Sequence, residues 1–374
     1  MRLRVFLAIV LTMVSLAGFV TPATAAAGTE VGAGMYPRLV RLQHSGSANG
    51  TYLSSSVAFP ADRPNGVAKI YSSTDGRTYR NIATIDDATA SRGICCGTLY
   101  ELPVAVGGLP AGTLLWSASF GGQNHSASQP MVIRVWRSTD QGRTWRFLST
   151  IATAGNGGGI WEPEFAIASN GRLVCYYSDE TDANHSQKLV QVTSTDGVGW
   201  TAPKNIVALA NRDERPGMPG VRKLPSGTFV MAYEICGPTY RCAAMLRTSA
   251  DGLNWGSLTA VGTRPVTSNG SYFSHTPTIV LTGSTIVLIG QVLLTASGTA
   301  QTGNGGAIFV GTLGGSWTQR TAPVTVAGPS VGSPGPVQNY SPALVFSADG
   351  RSLAEVTTAD KSGTSTVYAG IAAF

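Results

Sequence analysis

Two glutamates each stand directly after an aromatic residue, Glu162 after Trp161 and Glu234 after Tyr233. Two carboxyls brought to one site divide acid and nucleophile work between them when burial raises one pKa and leaves the other group ionised. Arg38, Trp161, Tyr177, Asp179, Arg215 and Tyr340 are of the types that hold a polyhydroxylated ligand. Aromatic faces pack on the C–H face of a sugar ring, and charged groups bond its hydroxyls. The reading is therefore a glutamate pair as catalytic groups and those six residues as substrate-binding groups. Either glutamate alone fits a residue that merely satisfies loop amides, so the case rests on the two meeting. The four histidines, His44, His125, His185 and His275, stand singly, and no Cys-x-x-Cys spacing occurs. Neither a metal nor a cofactor is expected.

The elements that must position these residues announce themselves through a recurring turn. Ser138-Thr139-Asp140-Gln141-Gly142-Arg143-Thr144-Trp145 has shortened copies at 73–79, 194–200 and 249–255. Each places Ser two before Asp, then a Gly that permits positive φ, then an aromatic. This composition predicts a hairpin turn in which the Asp carboxylate accepts local N–H groups and the ring packs beneath. The four aspartates are 55 to 65 residues apart and flanked by β-rich runs such as 131–136. The turns resemble the Asp-box of sialidases and related propellers, which is a folding device. A decayed copy runs from Gly311 to Trp317.

A second signal, an apolar strand, a Gly turn and another apolar strand, recurs with the first. It covers 39–57, 99–119, 164–177, 221–233, 278–293 and 343–357. The expected fold is all-β, a β-propeller of six four-stranded blades with Asp-box turns, in which a strand near 27–34 completes the last blade. A β-sandwich predicts no such long period. In a propeller the first hairpin turns and the Asp-box turns share one rim. The starts of first strands and the ends of second strands share the other, where Glu162, Glu234 and the six binding candidates are expected. For the second blade that start is read as Leu99-Tyr100-Glu101.

Residues 1–25 read as a secretory signal: Arg2 and Arg4, an apolar stretch over 5–20, then Ala23-Thr24-Ala25. Residues 26–374 read as the propeller, exported, free of the membrane after cleavage and monomeric. Only 12% of residues are charged and the net charge is +6, unclustered, so nucleic acid is not an expected partner. An oxidising compartment suits the five cysteines. Cys236 and Cys242 would close a short loop, one of the vicinal Cys95 and Cys96 would reach Cys175, and one thiol would stay free.

Taken in order, Trp-Glu-Pro at 161–163, Tyr-Tyr-Ser-Asp-Glu at 176–180, Gln187-Lys188-Leu189-Val190, Arg-Pro-Gly-Met-Pro at 215–219, Tyr-Glu at 233–234 and Asn-Tyr-Ser-Pro at 339–342 resemble the exo-α-1,5-L-arabinanases of glycoside hydrolase family 93. The resemblance implies a six-bladed sialidase-type propeller, a polysaccharide or oligosaccharide substrate, release of arabinobiose from arabinan ends, and retention of configuration. Their catalytic glutamates match Glu162 and Glu234, with Glu162 preferred as acid/base and Glu234 as nucleophile. Two departures from that pattern are the Cys95-Cys96 pair and Glu164. The rival hydrolase is a sialidase using Tyr340 as nucleophile with Glu355 beside it. It lacks the arginine cluster that a sialic acid carboxylate requires, since only Arg38 and Arg215 are candidates. A third reading is a carbohydrate-binding propeller without turnover, which has no need of two carboxyls.

Overall fold

A computed structural model describes residues 28–87, 93–331 and 337–374. The expected signal segment lies outside the described residues. Within them the chain forms six antiparallel sheets in sequence order. The first is Met35–Arg41, Tyr52–Ala58, Val67–Ser73 and Arg80–Ile85; the third is Ile160–Ile167, Leu173–Asp179, Lys188–Ser194 and Lys204–Val207. The last takes its outer strand from the other end of the chain: Thr29–Ala33 pairs with Thr364–Ala373, Thr29 opposite Ala369. Joining the two ends of the chain in one sheet leaves the ring no open edge between its first and last blades.

What holds the ring is side-chain alternation. Both faces of each blade are buried, and successive residues go to opposite neighbours. In Leu173–Asp179, Leu173, Cys175 and Tyr177 pack toward the second blade with Phe165 and Ile133, while Val174 and Tyr176 pack toward the fourth with Phe229 and Tyr233. Truncating any fully buried member, such as Phe229 or Trp116, costs about 3–5 kcal/mol.

The Asp-box turns behave as their composition predicts. Ser138 Oγ donates to Asp140 Oδ1 at 2.8 Å and accepts from Gly142 N at 3.0 Å, and Asp140 Oδ1 accepts Thr144 N at 2.9 Å. The fourth blade departs from the pattern. After its Asp-box it has no regular outer strand, only a bridge between Leu246 and Thr263, and Tyr272–Ser274 ties it instead to Val292–Leu294 of the fifth blade.

Six bulges decide where the site lies. Tyr36, Cys96, Glu162, Met218, Thr276 and Ser341, one per blade, have φ between 46° and 62° at the start of an innermost strand. The ladder loses register there in blades one to four, as between Trp161 and Glu164. Left-handed backbone at residues other than Gly costs about 1–2 kcal/mol each and persists only where the surroundings impose it. Proline follows five of the six, at 37, 163, 219, 277 and 342, and Gly97 follows the sixth. A residue without an N–H suits a position the ladder has skipped.

Candidate active site

The bulge at Glu162 turns its side chain toward the axis, and the sequence around it fixes the carboxylate. Oε2 accepts the Ser178 hydroxyl at 2.7 Å and the Met218 N–H at 2.9 Å. Ser178 reaches it because alternation along Leu173–Asp179 sends that hydroxyl to the same side as Tyr176. Gly217 is required by close approach: a Cβ there would meet the Gln187 amide and come within 3.6 Å of Glu162 Oε2. Glu234, near the end of Phe229–Cys236 in the next blade, accepts the Thr276 N–H at 2.7 Å on Oε2, and its Oε1 lies 3.4 Å from Cys236 Sγ. His275 Nδ1 is 3.9 Å from Glu234 Oε2.

Glu234 is buried and Glu162 half-buried, and both are pushed above the ordinary range. Burial raises Glu162, opposed by the bonds from Ser178 and Met218 and by the Arg38 guanidinium. Burial and then the charge of Glu162 push Glu234 up to about 8. The charge of Glu162 is felt at Glu234, and a proton shared by the two is favoured on Glu234, which has fewer donors to stabilise its charge.

The other bulge residues make the floor of two unlike halves. On the polar half, Arg38 donates to Ser341 Oγ at 2.8 Å and Ser341 N to Thr276 Oγ1 at 3.0 Å. On the apolar half Tyr36, Cys96 and Met218 pack together with Cys95, Trp161 and Tyr340. Arg38 also lies over the Tyr36 ring, 4.0 Å from its centroid. Tyr340 meets Tyr36 edge to face at 5.9 Å, and its hydroxyl pKa is raised by burial and by the facing Glu162 and Glu234. Trp161 is clamped by Nε1 donating to Glu180 Oε2 at 3.0 Å, and Glu180 in turn holds Arg215. The site thus brings two carboxyls together between an aromatic side and a donor side.

Neither a family model nor a curated protein matches the chain. Solved structures do. The α-L-arabinanase of Penicillium chrysogenum, complexed with arabinobiose, is 27% identical with a TM-score of 0.77, over 94% of this chain and 99% of that one. The family 93 α-L-arabinofuranosidase of Fusarium graminearum, also with arabinobiose, is 26% identical with a TM-score of 0.75, over 94% of this chain and 98% of its own. The chain is an arabinanase-like glycoside hydrolase. A microbial sialidase, at 13% identity and a TM-score of 0.56, shares the fold alone.

Of the residues expected in the site of this arabinanase-like protein, Glu162, Glu234, Arg38, Trp161, Arg215 and Tyr340 are brought together. Tyr177 and Asp179 are not. Tyr177 is 3% exposed among Leu102, Met131 and Val190 in the core between blades two and three. Its parity, opposite to Ser178, turns it away from the cleft. Asp179 shares that parity and serves the following turn, accepting Thr181 N at 2.8 Å and Thr181 Oγ1 at 2.6 Å. Tyr100 and Glu101 also correct the sequence reading, because the innermost strand of blade two starts at Ile94. Glu101 therefore falls at its far end, where it accepts Gln43 N at 2.7 Å and His44 N at 3.0 Å on the Asp-box side.

Cys95 pairs with its neighbour Cys96 rather than with Cys175, which is free and buried between blades; Cys236 pairs with Cys242 as expected. Glu355 is not Tyr340's partner, since it is buried elsewhere, accepting Val324 N at 2.9 Å. Glu164 lies in the channel below the floor with Thr98 and Arg222. Glu180 and Gln187 stood in the resembling motifs, and Cys96 in the vicinal pair, without being assigned to the site. The signal that finds the floor is the repeat of Pro at 37, 163, 219, 277 and 342. Among the described residues one set of three groups could approach a metal, Cys236, Cys242 and His275, but the two sulfurs are bonded to each other.

Proposed function

We propose that the protein is a secreted, retaining exo-hydrolase of α-1,5-L-arabinan or arabino-oligosaccharides that releases arabinobiose. The single observation that carries this is the meeting of Glu162 and Glu234 from adjacent blades, close enough for the charge of one to raise the other and for both to face Tyr340. Similarity along 94% of the chain to enzymes solved with arabinobiose supports the sugar. One carboxyl protonates the glycosidic oxygen, the other attacks the anomeric carbon, and water resolves the glycosyl-enzyme with the first now acting as base. Such a mechanism calls for carboxyl groups about 5–5.5 Å apart.

The two donors on Glu162 Oε2 stabilise its charge, which suits a nucleophile, whereas the resemblance prefers Glu162 as acid/base and Glu234 as nucleophile. Trp161 and Tyr340 would wall the terminal sugars, with Arg38 and Arg215 bonding their hydroxyls. Arg215 is already paired with Glu180 and Gln187, which argues against the free arginine cluster of a sialidase. The test is product analysis on debranched arabinan with sialyl-lactose as control. Arabinobiose of retained configuration is expected; free sialic acid, or no product from any glycan with sugar still bound, overturns the reading. Azide rescue then assigns the roles: an azide adduct formed by Glu162→Ala with inverted configuration marks Glu162 as the nucleophile.

A further inference from the structure

The bulge of blade two differs from the other five. Where they carry Tyr36, Glu162, Met218, Thr276 and Ser341, each followed by proline, it carries Cys96 followed by Gly97, with Cys95 and Cys96 bonded to each other. Cys96 has a φ of 62°, the same as Glu162, at the bulge that begins its own innermost strand. Cys96 is 4% exposed and Cys95 half-buried, and together they pack with Tyr36, Met218, Trp161 and Tyr340 on the apolar half of the floor. The free thiol of the chain, Cys175, is in an interblade core and takes no part.

A covalent link between neighbouring residues suits this place for two reasons. Sulfur is soft and polarizable, and makes close contacts with C–H and aromatic groups without asking for a hydrogen bond. Bonding two adjacent side chains to each other also removes their rotamer freedom in advance, so a ligand that lands on them orders nothing further. Trp161 beside them is similarly fixed, by Glu180 and by an edge contact with His125 at 5.9 Å.

We propose that the Cys95–Cys96 disulfide is a specificity-determining contact of the cleft, a rigid apolar platform for the C–H face of the bound sugar. The polar half of the floor and the guanidinium groups take the hydroxyl edge. The proposal rests on the arabinan reading and assigns to blade two the part of the floor where the chain departs most from the proline pattern.

The experiment compares the parent with Cys95→Ala/Cys96→Ala and with Cys95→Ala/Cys96→Met on arabino-oligosaccharides. Losing the sulfur surface raises KM about tenfold while kcat stays within about twofold, the scale of a lost apolar contact in a pocket. The methionine variant, which restores a soft surface, recovers most of the affinity. A parent-like KM in the double alanine variant overturns the proposal, as does a fall in kcat alone.

A second measurement needs no variant and covers the case in which the alanine pair does not fold. Arabinobiose should slow phosphine reduction of the Cys95–Cys96 bond in the parent severalfold, read by alkylation and mass spectrometry. Equal rates with and without the sugar overturn the proposal. Failure of the arabinan reading is seen separately, as a parent protein that releases nothing from arabinan.

Discussion

At the Asp-box rim, Asp75 receives the backbone N–H groups of Thr78 and Arg77 and the hydroxyl of Ser73, and its pKa falls to about 2. Across the disk, Glu234 is buried beside a second carboxyl with one backbone N–H to meet it, and rises to about 8. The same functional group is thus held in opposite states on the two faces of one propeller. The difference lies in donors: a turn that converges several N–H groups on a carboxylate stabilises its charge, whereas burial with few donors favours the proton. The first arrangement suits architecture and the second suits proton transfer. Asp251 repeats the rim pattern, since four hydrogen bonds outweigh its partial burial and hold it at about 2.

The sharpest way to break this comparison is to neutralise one carboxylate from each face. Glu162→Gln and Glu234→Gln should each lower kcat by roughly 10³-fold or more. Glu234→Gln should also melt at or above the parent at pH 8, because it removes a buried group that resists ionisation. Asp140→Asn should do the reverse, losing roughly 1–2 kcal/mol of stability through its hydrogen bonds while KM and kcat stay at parent values. Activity in the glutamine variants, or loss of activity in a folded Asp140→Asn protein, would dissolve the distinction.

Gly217→Ala tests positioning without touching a carboxyl. The added methyl would collide with the Gln187 amide beside the Glu162 cradle, and kcat/KM should drop roughly 10- to 100-fold, measured by steady-state kinetics on arabino-oligosaccharides. Parent-like kinetics would show that the Glu162 cradle tolerates displacement.

A subtler test reads the protons. If Glu234 carries the shared proton, kcat/KM should fall on the alkaline side near pH 8 as that proton is lost. Glu162→Gln removes a charge that raises Glu234, so the Glu234 carboxyl resonance should titrate at lower pH than in the parent. An unmoved titration would mean that burial alone sets the shift.

The smallest expected effect is on stability at Glu355, which is 1% exposed and raised to about 8 by burial, with Oε1 lacking a partner among the described residues. A carboxyl whose folded pKa exceeds its unfolded value binds its proton more tightly when folded. Its contribution therefore weakens as pH rises from the unfolded pKa, about 4.3, and levels off above the folded value near 8. Glu355→Gln should match the parent near pH 4 and exceed it at pH 8 in chemical denaturation. Equal stability at both would place a compensating group beside Glu355.

Much of this was legible in the chain because its signals are local. A Ser-x-Asp turn closes within a few residues, so its hydrogen bonds are written in its composition, and its repetition counts the blades. The Trp-Glu-Pro and Tyr-Glu segments pointed to the rim on which Glu162 and Glu234 meet. Reading failed where a one-residue offset matters. Tyr177 and Ser178 are neighbours, and only the register of Leu173–Asp179 decides which of them faces Glu162. Blade two misled because its bulge is Cys-Gly rather than residue-proline, which shifted the expected strand start from Ile94 to Leu99.

By itself the sequence determined the repeat, the turns, the all-β architecture and the residue types available at each strand start, since these rest on spacing and short-range hydrogen bonding. Only the tertiary structure decided which carboxyls are buried together, that Cys96 bonds to its neighbour, and that Glu180 links Trp161 to Arg215. The carboxyl pair and the Glu180–Arg215 link join neighbouring blades, and the Cys95–Cys96 bond depends on the left-handed bulge at Cys96, so none of them follows from local spacing.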